Sequence, residues 1–282
     1  METRFISFER TRIAVHVAGR GPLAVLVHGY PLDHRMWLDA MQSSLADQRT
    51  LVAIDLRGHG QSPWCGDTTH GMDLFADDVA TVVHTLTDEP VDVVGLSMGG
   101  YVAQAIWAAH RGLVRSLALV DTRAAADDDA GRAGRDAAMQ TVVTRGRAAL
   151  AAGMLDRLLA KQPDIARDLM LRARVQTMAE SLPVETIVAD LRGLRDRPDR
   201  TAMLGTITVP TLVVVGSEDP ISTPAEAEQI TGSIRGARLA VVAGCGHLVP
   251  MEDPTAFALH LGAFWRQHGA RGAAGMSQNK PE

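Results

Sequence analysis

Six short runs dominate the pattern of this chain: LAVLVHG (23–29), TLVAIDL (50–56), VDVVGLS (91–97), SLALVDT (116–122), TLVVVGS (211–217) and RLAVVAG (238–244). Each is rich in Val, Leu, Ile and Ala at successive positions, so both faces are apolar. A strand of that kind is buried on both sides, as in a parallel sheet covered by helices, and not half-exposed as in an antiparallel one. Helical patterns lie between the runs, among them Asp73 to Leu86 and Gly100 to Ala109. Strand and helix in alternation predict an open α/β sheet with helices on both faces.

Two departures from the alternation define the organisation. FISF (5–8) and IAVHVAG (13–19) have no helix between them and read as an antiparallel hairpin at one edge. Between about Arg123 and Asp199 strand-like runs disappear, and Ala/Arg-rich helical segments take over, such as AALAAGMLDRLLA and VETIVADLRGLRDR. The expected division is a core from 1–122, a helical cap over 123–200, a second part of the core over 201–270, and a tail over 271–282 whose composition is that of a flexible segment.

The run at 91–97 ends on a corner, Gly95-Leu96-Ser97-Met98-Gly99, with a strand before it and a helix after it. That is the context in which G-x-S-x-G holds a nucleophile. A serine on so tight a turn sits in a strained backbone, and its neighbours two residues either way need to lack bulk. The following helix N-terminus offers free N–H groups to a developing oxyanion.

A serine hydroxyl needs a base to take its proton and a carboxylate to orient that base. Of the ten histidines, His247 lies in a glycine-bracketed loop directly after the last apolar run, AGCGHLVP. His84 and His110 fall in helical patterns, His260 and His268 near the C-terminal helix, and His16 in the edge hairpin; His34 and His70 read as loop or surface residues. For the acid, Asp219 ends the run TLVVVGS in a turn closed by Pro220, with Glu218 beside it as a fallback and Asp121, one strand earlier, as a rival. The loop His28-Gly29-Tyr30-Pro31 follows the run at 23–29 and is placed to give a second oxyanion donor, so the N–H groups of Tyr30 and Met98 are the expected pair. His28 reads as a residue that holds this loop. The side chains of Tyr30, Met98 and Trp37 are expected to line the substrate pocket. The glycine-rich DLRGHGQS (55–62) fits neither the Walker nor the dinucleotide spacing, and reads as a structural loop with Asp55 and Arg57 in buried polar contacts.

Composition narrows the classes. A net charge of −5 with acids and bases interspersed gives no basic footprint for nucleic acid. Two cysteines are too few for a disulfide framework. No apolar run approaches the ~20 residues of a membrane helix, and residues 1–20 carry charges without the apolar core of a signal peptide. The expectation is a cytoplasmic protein, with its oligomeric state left open.

With Ser97, Asp219 and His247 in this order, together with HGYP and DLRGHGQS, the chain resembles the α/β-hydrolase superfamily over roughly residues 5–268. DHRMW (33–37), GLSMGGYVAQ and VDTRAAAD (120–127) are similar to the capped esterase, enol-lactonase and perhydrolase branch. The resemblance implies a mostly parallel eight-stranded sheet with an inserted helical cap. It implies nucleophile Ser97, acid Asp219, base His247 and oxyanion donors Tyr30 and Met98. Serine at 97 departs from the dehalogenases and epoxide hydrolases, which carry aspartate there. Acyl transfer by such residues uses neither metal nor nucleotide, so no cofactor is implied. The expected substrate is a small ester or lactone. Peroxide-dependent activity is the alternative within the same chemistry, and a ligand receptor or non-hydrolytic cyclase is the alternative outside it.

Overall fold

Eight strands form one sheet: β1 (Glu2–Phe8), β2 (Thr11–Gly19), β3 (Leu23–Val27), β4 (Thr50–Ile54), β5 (Val91–Leu96), β6 (Val114–Val120), β7 (Thr211–Gly216) and β8 (Arg238–Val242). They lie in the order β1-β2-β4-β3-β5-β6-β7-β8. β2 is antiparallel to β1 and β4, and every other pair is parallel. The computed structural model describes residues 1–161 and 164–269, so the expected tail at 271–282 lies outside the described residues.

The helices are α1 (Leu38–Met41), α2 (Met72–Leu86), α3 (Met98–His110), α4 (Asp129–Arg145), α5 (Arg147–Leu158), α6 (Ile165–Ser181), α7 (Val184–Arg195), α8 (Pro224–Ser233), α9 (Val249–Glu252) and α10 (Pro254–Gly269). Strand periodicity divides the apolar residues between two layers. Val25, Val27, Val52, Ile54 and Val93 face Phe75 and Val79 of α2 and Val102 and Ile106 of α3. Ala24, Leu26, Leu51, Ala53, Val94 and Leu96 face Phe257, Leu261 and Trp265 of α10. In α2 the buried residues Met72, Phe75, Ala76, Val79, Val82 and Val83 follow helical spacing, which makes one apolar stripe. Each fully buried Val, Leu or Phe side chain contributes about 1.5–3 kcal/mol relative to exposure.

Between β6 and β7 the described residues contain helices α4 to α7 and no strand. The order β4-β3-β5 reverses direction at the centre of the sheet. A crevice opens outside the carboxyl ends of strands at such a point. Val27 of β3 pairs with Gly95 of β5, so the loops that follow these two strands emerge side by side.

Candidate active site

Ser97 joins β5 to α3 with φ 53° and ψ −111°, a conformation an L-residue adopts only under constraint. Its N–H donates to Val120 O at 2.9 Å, and its carbonyl accepts from Thr122 Oγ1 at 2.9 Å, so β6 holds the corner from one side. Glycine is required on both flanks. A Cβ at Gly95 would run into the carbonyl oxygen of Gly99, and one at Gly99 into that of Val27. Leu96 and Met98 are buried, whereas Ser97 keeps partial exposure.

The structure brings three distant side chains together at this corner. Ser97 Oγ lies 2.8 Å from His247 Nε2, and His247 Nδ1 lies 2.8 Å from Asp219 Oδ2. With Nδ1–H donating to the carboxylate, Nε2 is left to accept from the serine hydroxyl. The other oxygen of Asp219 accepts from the N–H groups of Ile221 (2.7 Å) and Ser222 (3.1 Å), which locks the carboxylate in its turn. Just beyond, α8 is started by a capping box between Thr223 and Glu226 with Pro224 at its first position.

His247 is held through its backbone. Its N–H donates to Leu158 O at 3.0 Å, at the end of α5. Glu252 accepts from the N–H groups of Gly246 (3.0 Å), Leu248 (3.0 Å) and Ala160 (2.8 Å), which ties the histidine loop to the same end of α5. The rival acid, Asp121, does not reach the imidazole. It is fully buried at φ 43°, and its two oxygens accept from Gly216 N (3.0 Å) and Val249 N (3.2 Å). Burial, reinforced by the charge of Asp219, pushes its carboxyl well above the ordinary range.

The loop after β3 crosses beside the serine: a Cβ on Gly29 would lie 3.3 Å from Ser97 Cβ. His28 holds this loop. Its Nδ1–H donates to Gly29 O at 3.0 Å, and its Nε2 accepts from Leu56 N at 3.1 Å. Burial, with His59 nearby, drops its pKa to about 4, in keeping with a ring that has to stay neutral to accept. Among the described residues, no acceptor within the protein takes the N–H of Tyr30 or of Met98.

A cavity of about 680 Å³ adjoins the site, walled by α4, α5, α7 and the turn after β7. Tyr30, Leu158, Pro220 and Ile221 form the wall shared with the triad loops. Of the three residues expected to line a pocket, only Tyr30 does so. Trp37 is fully buried, with its ring 5.9 Å from Phe257 in the layer beneath the opposite sheet face. Met98 packs its side chain into the α2–α3 layer, since the first turn of α3 lies against the sheet. The expectation that Trp37 and Met98 line the pocket is therefore corrected: Asp33 caps a short turn that directs Trp37 inward. Arg123, Arg135, Leu150, Met154 and Leu191 line the cavity and were not singled out from the sequence. The one available signal was that Arg123 follows a strand end.

A model of the alpha/beta hydrolase family matches residues 24–259. The chain belongs to that family. It is similar to 3-oxoadipate enol-lactonase 1 of Acinetobacter baylyi, 28% identical over 250 residues that take in 87% of this chain and 90% of that protein. It is also similar to the pimeloyl-(acyl-carrier protein) methyl ester esterase of Neisseria meningitidis, 30% identical over 242 residues covering 83% and 89% of the two chains. Among solved structures, a thermophilic esterase from Thermogutta terrifontis with malate bound superposes with a TM-score of 0.89 at 31% identity, covering 95% of this chain and 99% of that one.

Two further buried carboxylate–imidazole groups lie elsewhere in this alpha/beta hydrolase; His70 lies in a loop as read, but neither it nor His34, which opens the short turn at 34–37, is a surface side chain. Asp55 accepts from His34 N (2.8 Å) and Gln61 N (2.9 Å), and also meets His34 Nδ1 (2.8 Å) and His16 Nε2 (3.1 Å). The two rings stack at 3.4 Å. Among the described residues, this is the one group of three whose donor atoms lie close enough together to hold a metal ion, and those atoms already bond to one another and to Thr3 Oγ1. Asp190 of α7 accepts from His70 Nδ1 at 2.7 Å and stands 3.0 Å from His59 Nε2, at an angle too bent for a hydrogen bond. Burial pulls the pKa of His59 down most strongly, but the Asp190 carboxylate, the Arg57 carbonyl and the charge of Asp55 together raise it. No helix among the described residues is long and apolar enough to cross a membrane.

Proposed function

We propose that this chain hydrolyses carboxylic esters or lactones through an acyl-Ser97 intermediate. The observation that carries the reading is the unbroken relay Asp219–His247–Ser97, with both contacts at 2.8 Å. His247 takes the serine proton as Oγ attacks the acyl carbon, and Asp219 stabilises the imidazolium that results. The N–H groups of Tyr30 and Met98 hold the tetrahedral oxyanion. The imidazolium then protonates the leaving alkoxide, which for a lactone stays tethered to the acyl group. His247 next activates water to attack the acyl-enzyme, and Ser97 is released with the acid.

Helices α4 to α7 serve as a cap that shapes the acyl pocket, as the cavity walls support. Similarity to an enol-lactonase and to a methyl ester esterase supports both ring and open-chain esters as substrates. Work in the cytoplasm agrees with two cysteines that stay unpaired as thiols. The test is direct. A fluorophosphonate probe labels the wild-type protein at Ser97, and Ser97→Ala removes both labelling and p-nitrophenyl acetate turnover, lowering kcat by a factor on the order of 10⁶. Turnover by Ser97→Ala near the wild-type rate would overturn the reading.

A further inference from the structure

The end of β6 touches every part of the relay without belonging to it. Val120, its last residue, accepts the N–H of Ser97 at 2.9 Å, and the hydroxyl of Thr122 donates to the carbonyl of Ser97 at 2.9 Å. Between them stands Asp121. Its Oδ1 accepts from the N–H of Gly216 at 3.0 Å, three residues before Asp219, and its Oδ2 accepts from the N–H of Val249 at 3.2 Å, two residues after His247. Its own N–H donates to Val214 O of β7 at 2.8 Å. Three consecutive residues thus bond the corner of Ser97, the strand that leads into the turn of Asp219, and the far side of the loop that carries His247.

Backbone and residue type both mark position 121 as constrained. Among the described residues, three that are not glycine have a positive φ: Glu9 in the turn of the edge hairpin, Ser97 at 53° and Asp121 at 43°. Conformations of this kind persist where the surroundings over-determine them, and they cluster at active sites. The carboxyl is fully buried, and burial with the charge of Asp219 opposes its ionisation. An apolar residue would avoid that cost but would leave the N–H groups of Gly216 and Val249 without an acceptor. Asparagine would satisfy one of the two, because an amide nitrogen accepts nothing, whereas both oxygens of a carboxyl can accept whether or not it is protonated.

We infer that Asp121 is a positioning residue for the relay: by bonding the strand of the acid and the loop of the base to the end of β6, it sets the approach of His247 to Ser97, and Thr122 is the second half of the same bracket. Asp121 takes no proton in this role and acts through the three residues it holds in place. The role deepens the hydrolase reading and rests on it. Neither Asp121 nor Thr122 lines the cavity, so their loss leaves the substrate's walls untouched and falls on the chemical step. Displacing a reacting group by about 1 Å costs a rate on the order of 100-fold.

Asp121→Asn keeps the shape and one acceptor oxygen, and sets an amide nitrogen against the other N–H. With p-nitrophenyl acetate, kcat is expected to fall on the order of 10- to 100-fold while KM moves by less than about twofold. The same substitution made in Asp219→Asn, where the imidazole already has the wrong tautomer, is expected to lower the residual rate by less than about threefold, since residues that act through one relay are not additive. Equal falls in both backgrounds overturn the inference, as does a raised KM with kcat kept. Should Asp121→Asn not fold, Thr122→Val carries the test: it removes the hydroxyl under Ser97 at nearly equal volume, and a wild-type kcat in that variant overturns the inference. A measurement without turnover separates this inference from the reading beneath it. The proton on His247 Nδ1, bonded to Asp219, gives a downfield NMR resonance that is identified by its loss in His247→Gln. It is expected to move in Asp121→Asn and to stay in place in Asp190→Ala, whose substitution lies in α7. A wild-type protein that turns over no ester breaks the hydrolase reading by itself, whereas a resonance unmoved in Asp121→Asn overturns the bracket.

Discussion

Three buried aspartates in this molecule hold buried histidines in nearly the same way, and only one of the three groups ends on a serine at a strained strand-to-helix corner. Asp219 meets His247 at 2.8 Å, Asp190 meets His70 at 2.7 Å, and Asp55 meets His34 at 2.8 Å. All the rings involved are buried. In the Asp55 and Asp190 groups each carboxylate is shared between two imidazoles, and the hydroxyl beyond His16, Thr3 Oγ1 at 3.0 Å, belongs to the edge hairpin and not to a strand-to-helix corner. In the Asp219 group the carboxylate serves a single imidazole, whose Nδ1 also has Ser222 Oγ at 3.5 Å and whose Nε2 meets Ser97, a residue that keeps partial exposure. The same chemical pair is a clasp where each carboxylate is shared between two rings and, in the proposed mechanism, a proton relay where it ends on Ser97. Asp190 clasps α7 to the loops that carry His59 and His70, whereas Asp219 orients His247, the base of the proposed mechanism.

The largest test of this contrast is Asp219→Asn. The amide keeps an oxygen for the N–H groups of Ile221 and Ser222, so the turn persists, but its NH2 presents a donor to Nδ1 and forces the imidazole into the wrong tautomer. The expected result is a fall in kcat on the order of 10⁴ with p-nitrophenyl acetate, with little change in the urea midpoint. Asp190→Ala should do the reverse. It leaves two buried imidazoles without their carboxylate and costs about 3–5 kcal/mol in urea unfolding, while Ser97 stays open to the fluorophosphonate probe. A similar stability loss in both variants would erase the distinction between clasp and relay.

The smallest effect is a pH dependence carried by His28 and His59, whose rings stand 4.6 Å apart. The pKa of His28 is depressed to about 4 by burial, against an ordinary 6.5. The unfolded chain therefore takes up the proton first, and the contribution of His28 is full above pH 6.5 and lost as the pH falls toward 4. That loss is about 3 kcal/mol. His59, with its pKa raised, works in the opposite sense: its contribution is full below pH 6.5 and fades as the pH climbs through its folded pKa. Urea midpoints at pH 7, 5.5 and 4.5 should converge between wild type and His28→Asn at the acid end. Parallel curves would remove His28 from the account.

Strand identity, the sharp corner at Ser97 and its two partners were legible because each rests on local pattern: a both-faces-apolar run, glycines at fixed offsets, a charged residue at a strand end. The arrangement at His34, His70 and Trp37 was not. A histidine in a polar loop looks the same whether it faces water or an aspartate 120 residues away, as His70 faces Asp190. Trp37 stands four residues after Asp33 in a turn whose direction is set by packing against α10. The arginines of the cavity were hidden for the same reason, since Arg135 and Arg157 are ordinary members of Ala/Arg-rich helical segments until α4 and α5 bring them round one cavity with Arg123 of the loop after β6.

The seam at Leu158, Ala160 and Glu252 bears on how molecules come and go. The end of α5 grips the backbone of His247, the base of the proposed mechanism, on both sides, so this corner behaves as a fixed post. Swinging it outward would carry the imidazole away from the hydroxyl it serves. Slackening the post would show as a blunted chemical step and not as faster exchange of product.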